Sequence, residues 1–485
     1  MDILEIEKID EVYIRVICEP SIAFELNDYF TFDVPGAKFM PAYRNKYWDG
    51  KIRLFNTMTC TIYAGLLRYI EEFAKSRNYK VEYLSDFSSE EFSLNEANEF
   101  IKNLKLPEKY KPRDYQIDAF VHAIRESRAL LLSPTASGKS FIIYMLMRYY
   151  ACRTLIIVPT TSLVSQLASD FADYGFDSDK FVHRIYSGKD KNSNLPVVVS
   201  TWQSIYKMDK EYFKQFDLVI GDEAHLFKAK SLTTILSKLT DCKYKFGFTG
   251  TLDGTQTHKL VLEGLFGPVR KVISTSELMD KKMVAKLLIK CIVLNYPDKV
   301  KKENKGLTYP QEMDYISTLS DRNRFIKNLA LSLDSNTLIL FQYVEKHGKA
   351  LYDIISKGTD RKVYFVHGGV DADDRENIRK IVETEKDAII IASYGTFSTG
   401  VNIKNLHNVI FSSPSKSVIR VLQSIGRGLR LADNKESVTL FDISDDMSWK
   451  SSRNHTLNHF MERVKIYNQE KFEYKIYKVS LNIIS

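Results

Sequence analysis

The chain has 485 residues, of which 44% are hydrophobic and 27% charged, a composition typical of a globular protein of about three domains. It contains no run of about 18 apolar residues, no signal-peptide pattern in its acidic start and no C-x-x-C pair among its five cysteines. These absences argue against a membrane span, export, a zinc site and a disulfide framework, so we expect a cytoplasmic protein. The net charge is +8, yet residues 1–110 hold 14 basic and 19 acidic residues. The basic remainder suits a polyanion such as DNA or RNA, although an ordinary solvated surface explains it as well.

Residues 1–110 are predicted to form a small α+β domain. Residues 12–17 alternate apolar side chains as a β-strand does, and residues 65–79 place theirs on one face of a helix. A proline pair at 107 and 112 then marks a boundary. We therefore expect this accessory domain to end close to residue 110.

Within this domain, the stretch NKYWDGKIRLFN (45–56) mixes aromatic and basic side chains. Trp48, Lys51 and Arg53 are candidate DNA-binding residues, because a ring can stack on a base while a cation contacts phosphate. The Asp-Gly pair inside the stretch is also a strong signal for a two-residue hairpin turn, and the two interpretations are compatible. The acidic balance of the domain argues against its being the main DNA clamp, but a branch-sensing role is open.

Beyond this domain, short apolar runs alternate with helical stretches. Such runs are typical of strands buried on both faces of a parallel sheet. The runs lie at 129–133, 154–159, 196–201, 217–222 and 245–251, and then at 337–344, 362–368, 388–393, 408–413 and 437–443. We therefore predict an α/β fold class with two tandem parallel-sheet units after the small α+β domain.

The same patterns predict the domain boundaries. The first parallel-sheet unit is expected at 111–275 and the second at 276–450, with the linker between 270 and 305. Residues 451–485 are predicted to be a C-terminal helical tail that becomes basic toward its end. This tail either packs against the second unit or extends a DNA-binding surface.

The stretch SPTASGKS nearly matches a phosphate-binding loop. It follows an apolar strand and opens a helical stretch, which is the context that such a loop requires. Small residues let backbone N–H groups converge on phosphates, Lys139 would neutralise the β- and γ-phosphates, and Ser140 would hold Mg²⁺. A simple Ser-Gly turn is the alternative. The candidate ATP-binding residues of the loop are Ser133, Pro134, Thr135, Ala136, Ser137, Gly138, Lys139 and Ser140.

Two further motifs fit the chemistry of ATP hydrolysis. Asp222 and Glu223 end an apolar strand, where Asp222 would bind Mg²⁺ and Glu223 would orient and deprotonate the attacking water. Arg427 and Arg430 are three residues apart, so a helix would project both to one side, where they would stabilise charge on a γ-phosphate. Taken alone, the first motif is equally a solvated turn and the second a basic helix end.

In their order along the chain these motifs resemble those of superfamily-two helicases. Further matches are DYQ at 114–116, TGT at 249–251 and ASYGTFSTGVN at 392–402, so the resemblance spans 114–430. It implies two tandem RecA-like lobes that use ATP with Mg²⁺. The chain departs from the family at Ala136, where glycine is preferred, and at Asn402, where aspartate is frequent.

The resemblance also implies roles for individual residues. Gln116 would read adenine, and Gln423 would position water or the γ-phosphate. The residues that would couple the nucleotide to the nucleic acid are His225, Thr249 and Thr251. Those that would contact the strand are Thr160, Thr201, Gln203 and Thr399. Trp202 either stacks on a base or belongs to the core.

The stretch WDGKIRL ahead of such a core resembles phage recombination helicases, as do LIIVPTTSLVSQ, KFGFTGTLDG and IIIASYGTFSTGVNIKNLH. That likeness implies an ATP-dependent DNA helicase that remodels branched, forked or single-stranded DNA in recombination and repair. The implied reactions are fork regression, Holliday-junction branch migration, displacement-loop dissolution and strand annealing, with single-stranded-DNA-binding and recombinase proteins as partners and no membrane. The alternatives are a DNA-translocating subunit of a restriction system, an RNA helicase and a non-catalytic adaptor.

Overall fold

The computed structural model describes residues 3–186, 188–224, 229–252, 256–370, 372–399, 405–414 and 437–483. The first part of the chain forms a four-stranded sheet in the order β5-β2-β1-β6 and a two-stranded β3-β4 sheet. Its elements are β1 Ile3–Lys8, β2 Tyr13–Ile17, α1 Pro20–Tyr29, β3 Thr31–Asp33, α2 Pro41–Arg44, β4 Lys51–Arg53, β5 Thr61–Tyr63, α3 Leu67–Arg77, β6 Lys80–Tyr83 and α4 Leu94–Asn103, with 3₁₀ turns at Ala37–Phe39 and Ala64–Leu66. The expected small α+β domain is therefore present.

The next part of the chain forms a seven-stranded, fully parallel sheet in the order β13-β7-β12-β11-β8-β10-β9. Its elements are α5 Asp114–Glu126, β7 Arg128–Leu132, α6 Lys139–Tyr150, β8 Thr154–Val158, α7 Thr161–Asp173, α8 Ser178–Phe181, β9 Val182–Ile185, β10 Val197–Thr201, α9 Trp202–Ile205, α10 Lys210–Phe213, β11 Leu218–Gly221, α11 Ala229–Leu236, β12 Tyr244–Thr249, α12 Gln256–Phe266 and β13 Val269–Lys271. Helices α5, α6 and α7 pack on one face, and α10, α11 and α12 on the other. Every side chain of β8 and β10 is buried, which explains their unbroken apolar runs.

A second seven-stranded parallel sheet follows, in the order β16-β17-β15-β18-β19-β14-β20. Its elements are α13 Thr275–Asp280, β14 Lys286–Asn295, α14 Asp298–Glu303, α15 Tyr309–Thr318, α16 Ser320–Leu331, β15 Thr337–Phe341, a π-helical turn Val344–Gly348, α17 Lys349–Ser356, β16 Val363–Val366, α18 Ala372–Thr384, β17 Ile389–Ser393, α19 Tyr394–Thr399, β18 Asn408–Phe411, β19 Ser437–Asp446, α20 His455–Gln469 and β20 Tyr474–Ser480. The two tandem sheets confirm the predicted RecA-like fold class.

Two compact units account for the chain by their internal packing. One comprises residues 1–133 and 138–273, and the other residues 134–137 and 274–485. The small N-terminal domain and the first parallel sheet therefore belong to one unit, and the boundary predicted at residue 110 separates two sheets inside it. Among the described residues no helix is both long and apolar enough to cross a bilayer.

Glycines let the N-terminal domain approach α12, a helix on the first parallel sheet, backbone to backbone. A Cβ added at Gly65 would lie 2.0 Å from the Glu263 carbonyl oxygen, and one added at Gly264 would lie 2.9 Å from the Tyr63 Cβ. Beside this contact the Tyr69 hydroxyl donates to the buried Glu263 carboxylate at 2.7 Å. Because the backbone is rigid and glycine is the only residue that fits, the two parts are fixed against each other.

Two sequence predictions need correction. The predicted linker at 270–305 contains β14, an inner strand of the second sheet between β19 and β20, whose apolar run is interrupted by Lys290. The predicted helical tail is helical only over His455–Gln469, because β20 then pairs with β14 as an edge strand. An edge strand leaves most side chains exposed, so it lacks the apolar run that marks a buried strand.

The hairpin expected around the Asp-Gly pair at 49 and 50 is also wrong. Strand β4 pairs antiparallel with β3, not with the residues before Asp49. The chain between them, residues 34–50, is a compact excursion, and Gly50 ends it in a left-handed conformation at φ 80°. The pair therefore returns the chain to the sheet instead of joining two adjacent strands.

Candidate nucleotide and nucleic-acid site

The carboxyl ends of the first parallel sheet gather the predicted motifs at one edge. Strand β7 leads into Ser133, β11 leads into Asp222, β12 ends at Thr249, β8 leads toward Thr160 and β10 ends at Thr201. These five strands are neighbours in the order β7-β12-β11-β8-β10, so their ends lie side by side. In open parallel α/β sheets, ligands bind outside this edge.

The loop after β7 has the backbone of a phosphate cradle. Ser133 is fully buried, and its N–H donates to the Thr249 carbonyl at 2.8 Å. Ala136 and Gly138 both have left-handed backbone conformations, with φ at 68° and 80°. The conformation at 136 is one that glycine adopts freely and that costs an L-residue about 1–2 kcal/mol, which gives the departure at Ala136 a physical meaning.

Gln116 lies directly against this loop. Its side chain is buried, and its Oε1 accepts a hydrogen bond from the Arg113 backbone N–H at 2.9 Å. A Cβ added at Gly138 would lie 2.3 Å from Gln116 Nε2, so position 138 needs glycine for space as well as for its φ. The structure thus brings together the first two motifs, while the reading of adenine by Gln116 stays a prediction.

Lys139 and the carboxylates after β11 form the charged centre of the edge. Lys139 makes an ion pair with Glu223, and both side chains are largely buried. Glu223 has a left-handed φ of 52°, and its N–H donates to Asp222 Oδ1 at 2.9 Å. Burial raises the pKa of the Asp222 carboxyl to about 6, Glu223 adds to the rise, and Lys139 opposes it. One lysine thus faces two carboxylates, so the net charge of these three side chains favours binding of a further cation.

Ser140 and Asp222 are the residues that would hold Mg²⁺. The Ser140 hydroxyl lies 2.9 Å from the Tyr174 hydroxyl, which fixes the serine at the start of α6. The described residues contain no group of three or more His, Cys, Asp and Glu side chains that would hold a metal alone. A hydroxyl and a buried carboxylate fit Mg²⁺ that is shared with phosphates, because this ion is usually held by one or two protein ligands plus phosphate.

The TGT motif closes on itself at the end of β12. The Thr249 hydroxyl donates to the Thr251 carbonyl at 2.6 Å, and the Thr251 N–H donates back to Thr249 Oγ1 at 3.4 Å. Both residues are buried. Since the Thr249 carbonyl also accepts from Ser133, this turn is bonded to the first residue of the phosphate loop. That hydrogen bond connects Thr249 and Thr251 to the phosphate loop, as their predicted coupling role requires.

The two segments of the first sheet that are predicted to contact a nucleic-acid strand are adjacent. Val158 and Thr201 are partners in the β8–β10 ladder, and Gln203 Nε2 donates to the Pro159 carbonyl at 3.3 Å. Gln203 is exposed, whereas Thr201 is buried and shares a hydrogen bond with Ser204 at 2.8 Å. The exposed Gln203 is therefore better placed for a phosphate than Thr201.

Thr160 and Trp202 are both half-buried. Thr160 precedes α7, and its hydroxyl lies 3.0 Å from the Ser162 hydroxyl on the exposed side of the loop. Trp202 is partly buried and packs edge-on against Tyr206 at the border of the core. Core packing thus accounts for much of the Trp202 surface, and a stacking role is left to its exposed part.

The three candidates in the N-terminal domain are engaged inside that domain. Trp48 Nε1 donates to the Lys51 carbonyl at 2.8 Å, and Arg53 pairs with Asp49 at 2.5 Å. The Lys51 side chain is exposed. Tyr47 lies in the same aromatic and basic stretch, and its side chain is 87% exposed beside these three candidates.

Several predicted site residues lie outside the described part of the chain. They are His225, Asn402, Gln423, Arg427 and Arg430, together with the side chain of Thr399 at the end of α19. Conversely, Tyr174 could not be predicted from the sequence, because an isolated tyrosine 34 residues after Ser140 matches no motif. The contact depends on the packing of α6 against α7, which no local pattern encodes.

Three family profiles match the chain in succession. Residues 4–84 match the N-terminal domain of the DNA helicase UvsW, residues 109–254 match the res subunit of type III restriction enzymes, and residues 321–432 match the helicase conserved C-terminal domain. The chain is 38% identical to the ATP-dependent DNA helicase uvsW of Enterobacteria phage T4 across 97% of this chain and 98% of the relative. It is 25% identical to the DNA 3'-5' translocase XPB2 of Sulfurisphaera tokodaii across 68% and 81%.

Solved structures agree with these matches. The crystal structure of T4 UvsW superposes with a TM-score of 0.53 at 36% identity, over 99% of this chain and 100% of that one. The type ISP restriction-modification enzyme LlaBIII bound to DNA gives 0.57 at 15% identity, over 84% of this chain and 34% of that one, a likeness of fold alone.

The fold and the motif-bearing edge define an ATP-dependent helicase with tandem RecA-like lobes. More narrowly, the chain belongs to the UvsW family of ATP-dependent DNA helicases, which confirms the resemblance found in the sequence. ATP is its nucleotide and DNA its substrate.

Proposed function

We propose that this DNA helicase remodels branched DNA, by fork regression, Holliday-junction branch migration, displacement-loop dissolution and strand annealing in recombination and repair. The observation that carries the proposal is the N-terminal domain, which is fixed to the first parallel sheet through Gly65 and Gly264. A domain held this rigidly beside the motor moves with it, so DNA drawn past the motor is drawn past the domain. Near full-length likeness to T4 UvsW supports the same assignment.

We assign the domains as an N-terminal DNA-binding domain at 1–110, the two lobes at 111–275 and 276–450, and a C-terminal segment at 451–485. Single-stranded-DNA-binding and recombinase proteins are the partners that such a reaction implies. They would supply the single strand and the recombination intermediates on which the helicase acts.

The nucleotide edge supports a direct route to ATP hydrolysis. Lys139 and the backbone of the phosphate loop bind the β- and γ-phosphates, and Ser140 and Asp222 hold Mg²⁺, which when bound supplies positive charge to the phosphate oxygens. Glu223 orients a water and accepts its proton as the water oxygen bonds to the γ-phosphorus. The bond to the β–γ bridging oxygen breaks, and ADP and inorganic phosphate leave.

The ion pair between Lys139 and Glu223 supports a resting state in which hydrolysis is held off. While it pairs with the lysine, the Glu223 carboxylate is held by that ion pair and is not positioned against a water. Phosphates that attract Lys139 free the carboxylate. ATP binding thus both supplies the substrate and releases the base.

The remaining roles come from the helicase motifs. We propose that Gln116 contacts adenine, that Gln423, Arg427 and Arg430 act on the γ-phosphate, and that Thr249, Thr251 and His225 transmit the nucleotide state. The proposed DNA contacts are Thr160, Thr201, Trp202, Gln203, Thr399, Trp48, Lys51 and Arg53. Of these, Gln203 and Lys51 have exposed side chains.

The test is the rate of ATP hydrolysis with each nucleic acid in turn. Purified protein is measured with single-stranded, duplex, forked and four-way DNA and with RNA, at matched nucleotide concentration. The proposal requires that forks and four-way junctions stimulate more strongly than plain duplex. Stimulation only by RNA would refute it.

A second candidate is a translocase on plain duplex DNA. It is favoured by the match of residues 109–254 to the restriction res subunit. Equal stimulation by plain duplex and by junctions, with movement along duplex that displaces a bound triplex strand, would support this candidate. No movement of a branch point would accompany it.

A further inference from the structure

Residues 34–50, here called the aromatic loop, form a closed excursion between β3 and β4. The Val34 N–H donates to the Gly50 carbonyl at 2.8 Å, so the two ends of the loop meet. Inside it, backbone bonds from Met40 to Ala37, from Asn45 to Pro41 and from Tyr47 to Ala42 span 2.8 to 2.9 Å. A compact loop that satisfies its own backbone in this way holds one shape.

The loop points its apolar side chains away from the protein. Phe39 is 67% exposed, Met40 44%, Tyr43 41% and Tyr47 87%, while the loop buries little besides Ala37 and Gly50. Such a cluster of exposed rings is unfavourable in water and marks a surface that contacts a partner. Lys46, directly before Tyr47, has a left-handed φ of 59°, a strained conformation of the kind found at functional sites.

Charge identifies the chemistry of that partner. Residues 34–53 hold five lysines and arginines and one aspartate, whereas the rest of residues 1–110 hold nine basic and 18 acidic residues. The loop cations Lys38, Arg44 and Lys46 are all exposed. An acidic domain that concentrates its cations around exposed rings suits a polyanion with flat apolar faces, which describes DNA with unpaired or terminal bases.

We propose that the aromatic loop is the strand-separating element of this helicase, with Tyr47 and Phe39 stacking on the base pair at a branch point. Lys38, Arg44 and Lys46 contact the phosphates on either side. The proposal rests on the proposed function and names the surface that performs it. It also changes the sequence-based choice, because Trp48 holds the loop in shape through its bond to the Lys51 carbonyl.

The attachment of the domain supports this use of the loop. Strand β4 continues directly from the loop, and Leu54, the next residue, packs against the cores of both the N-terminal domain and the first parallel sheet. The loop therefore has a fixed base beside the motor. A rigid element is what strand separation requires, because a flexible one would yield before the base pair does.

The test compares a loop double variant, Phe39→Ala with Tyr47→Ala, with a matched control, Phe24→Ala, whose ring is 64% exposed on α1 of the same domain. Movement of a synthetic four-way junction is measured beside ATP hydrolysis with single-stranded DNA. The loop variant is expected to lose at least about tenfold in junction movement, the factor for one lost base–aromatic contact. Its hydrolysis with single-stranded DNA, which has no branch to open, should equal that of the control.

A 2-aminopurine placed at the branch adds a readout of stacking that needs no ATP. Its fluorescence should be quenched by the wild type, by the control and by Tyr47→Trp, but not by the double variant. If the double variant moves junctions and quenches like the wild type, the loop serves another partner, such as a protein, and the inference is overturned. If the wild type itself moves no junction, the proposed function fails, and quenching still decides whether the loop stacks on DNA.

Discussion

The nucleotide edge and the aromatic loop differ in whether their functional side chains are buried or exposed. At the edge, the groups that do chemistry are buried and already bonded to one another, as Lys139 is to Glu223 and Ser140 to Tyr174. In the loop, the rings are exposed, and it is the backbone that is bonded. Chemistry on a phosphate gains from a site with little water, whereas contact with a large duplex needs surface that is accessible before the partner arrives.

The largest expected effect is a loss of ATP hydrolysis after a substitution at the nucleotide edge. Glu223→Gln keeps the shape of the side chain but removes the base, so ATP hydrolysis should fall by roughly 10²–10⁴-fold while ATP binding persists. Steady-state hydrolysis and binding of a fluorescent ATP analogue measure the two. The exposed Glu211→Gln is the control, and a Glu223→Gln protein that hydrolyses ATP at the wild-type rate would refute the assignment.

The next effect concerns the backbone contact that holds the N-terminal domain, and with it the aromatic loop, against the first parallel-sheet unit. In Gly65→Ala the new Cβ would lie 2.0 Å from the Glu263 carbonyl, so the backbones must separate, and we expect a loss of about 1–3 kcal/mol in unfolding free energy. Junction movement should fall more than ATP hydrolysis with single-stranded DNA. Gly368→Ala is the matched control because nothing lies within 4 Å of its added Cβ. Equal loss of both activities would mean that the domain contact serves stability alone.

The pH dependence of stability tests whether a histidine in the second unit is buried without its proton. Burial lowers the pKa of His347 to about 3, nearby Arg322 lowers it further, and the ring's Nδ1 lies 3.0 Å from the Ser413 hydroxyl. The unfolded chain protonates this histidine below about pH 6.5 and the folded chain does not, so stability is lost as the pH falls from 6.5 toward 3. Between pH 7.5 and 5.5 we expect a loss of about 1.4 kcal/mol from this group.

Urea unfolding of wild type and His347→Gln at the two pH values measures that loss. The wild type should lose more stability than the variant by the stated amount. The same loss in both proteins would mean that His347 is accessible to protons in the folded state.

The smallest effect is expected from Tyr174→Phe, which removes the hydroxyl beside Ser140. Losing one such hydrogen bond costs about 0.5–1.5 kcal/mol, so the Mg²⁺ concentration for half-maximal hydrolysis should rise about 2- to 12-fold with little change in the maximal rate. Tyr144→Phe removes a buried hydroxyl that bonds Arg148 instead and should leave that concentration unchanged. Equal shifts in both variants would assign the effect to packing.

The edge could be predicted from the sequence almost completely, whereas the loop could be predicted only over its last residues, 45–50. Lys139, Asp222 and Thr249 lie in short motifs at strand ends, and a parallel sheet brings strand ends together whatever else the chain does. Tyr174 escaped because its contact depends on helix packing. Tyr47 lies in the stretch 45–56 that the sequence indicates for DNA contact, but its greater exposure than Trp48 cannot be deduced from the sequence. Phe39 lies outside that stretch, because a compact loop closed by its own backbone leaves no periodic pattern.

Two neighbouring strands of the second sheet, β14 and β20, show the same limit of local sequence patterns. Strand β20 carries no strand pattern because an edge strand exposes its side chains, and Lys290 interrupts the apolar run of β14. In both cases pairing with a distant strand overrode the local pattern.

The central claim, that this UvsW-family helicase moves branch points, is tested most directly with a synthetic four-way junction whose arms are homologous. Product duplexes are followed on native gels with ATP, with ADP and without nucleotide. We expect the junction to move to completion with ATP but not with ADP or without nucleotide, and Glu223→Gln to bind the junction but leave it in place. A junction that stays intact with ATP, while the same protein hydrolyses ATP on it, would contradict the claim.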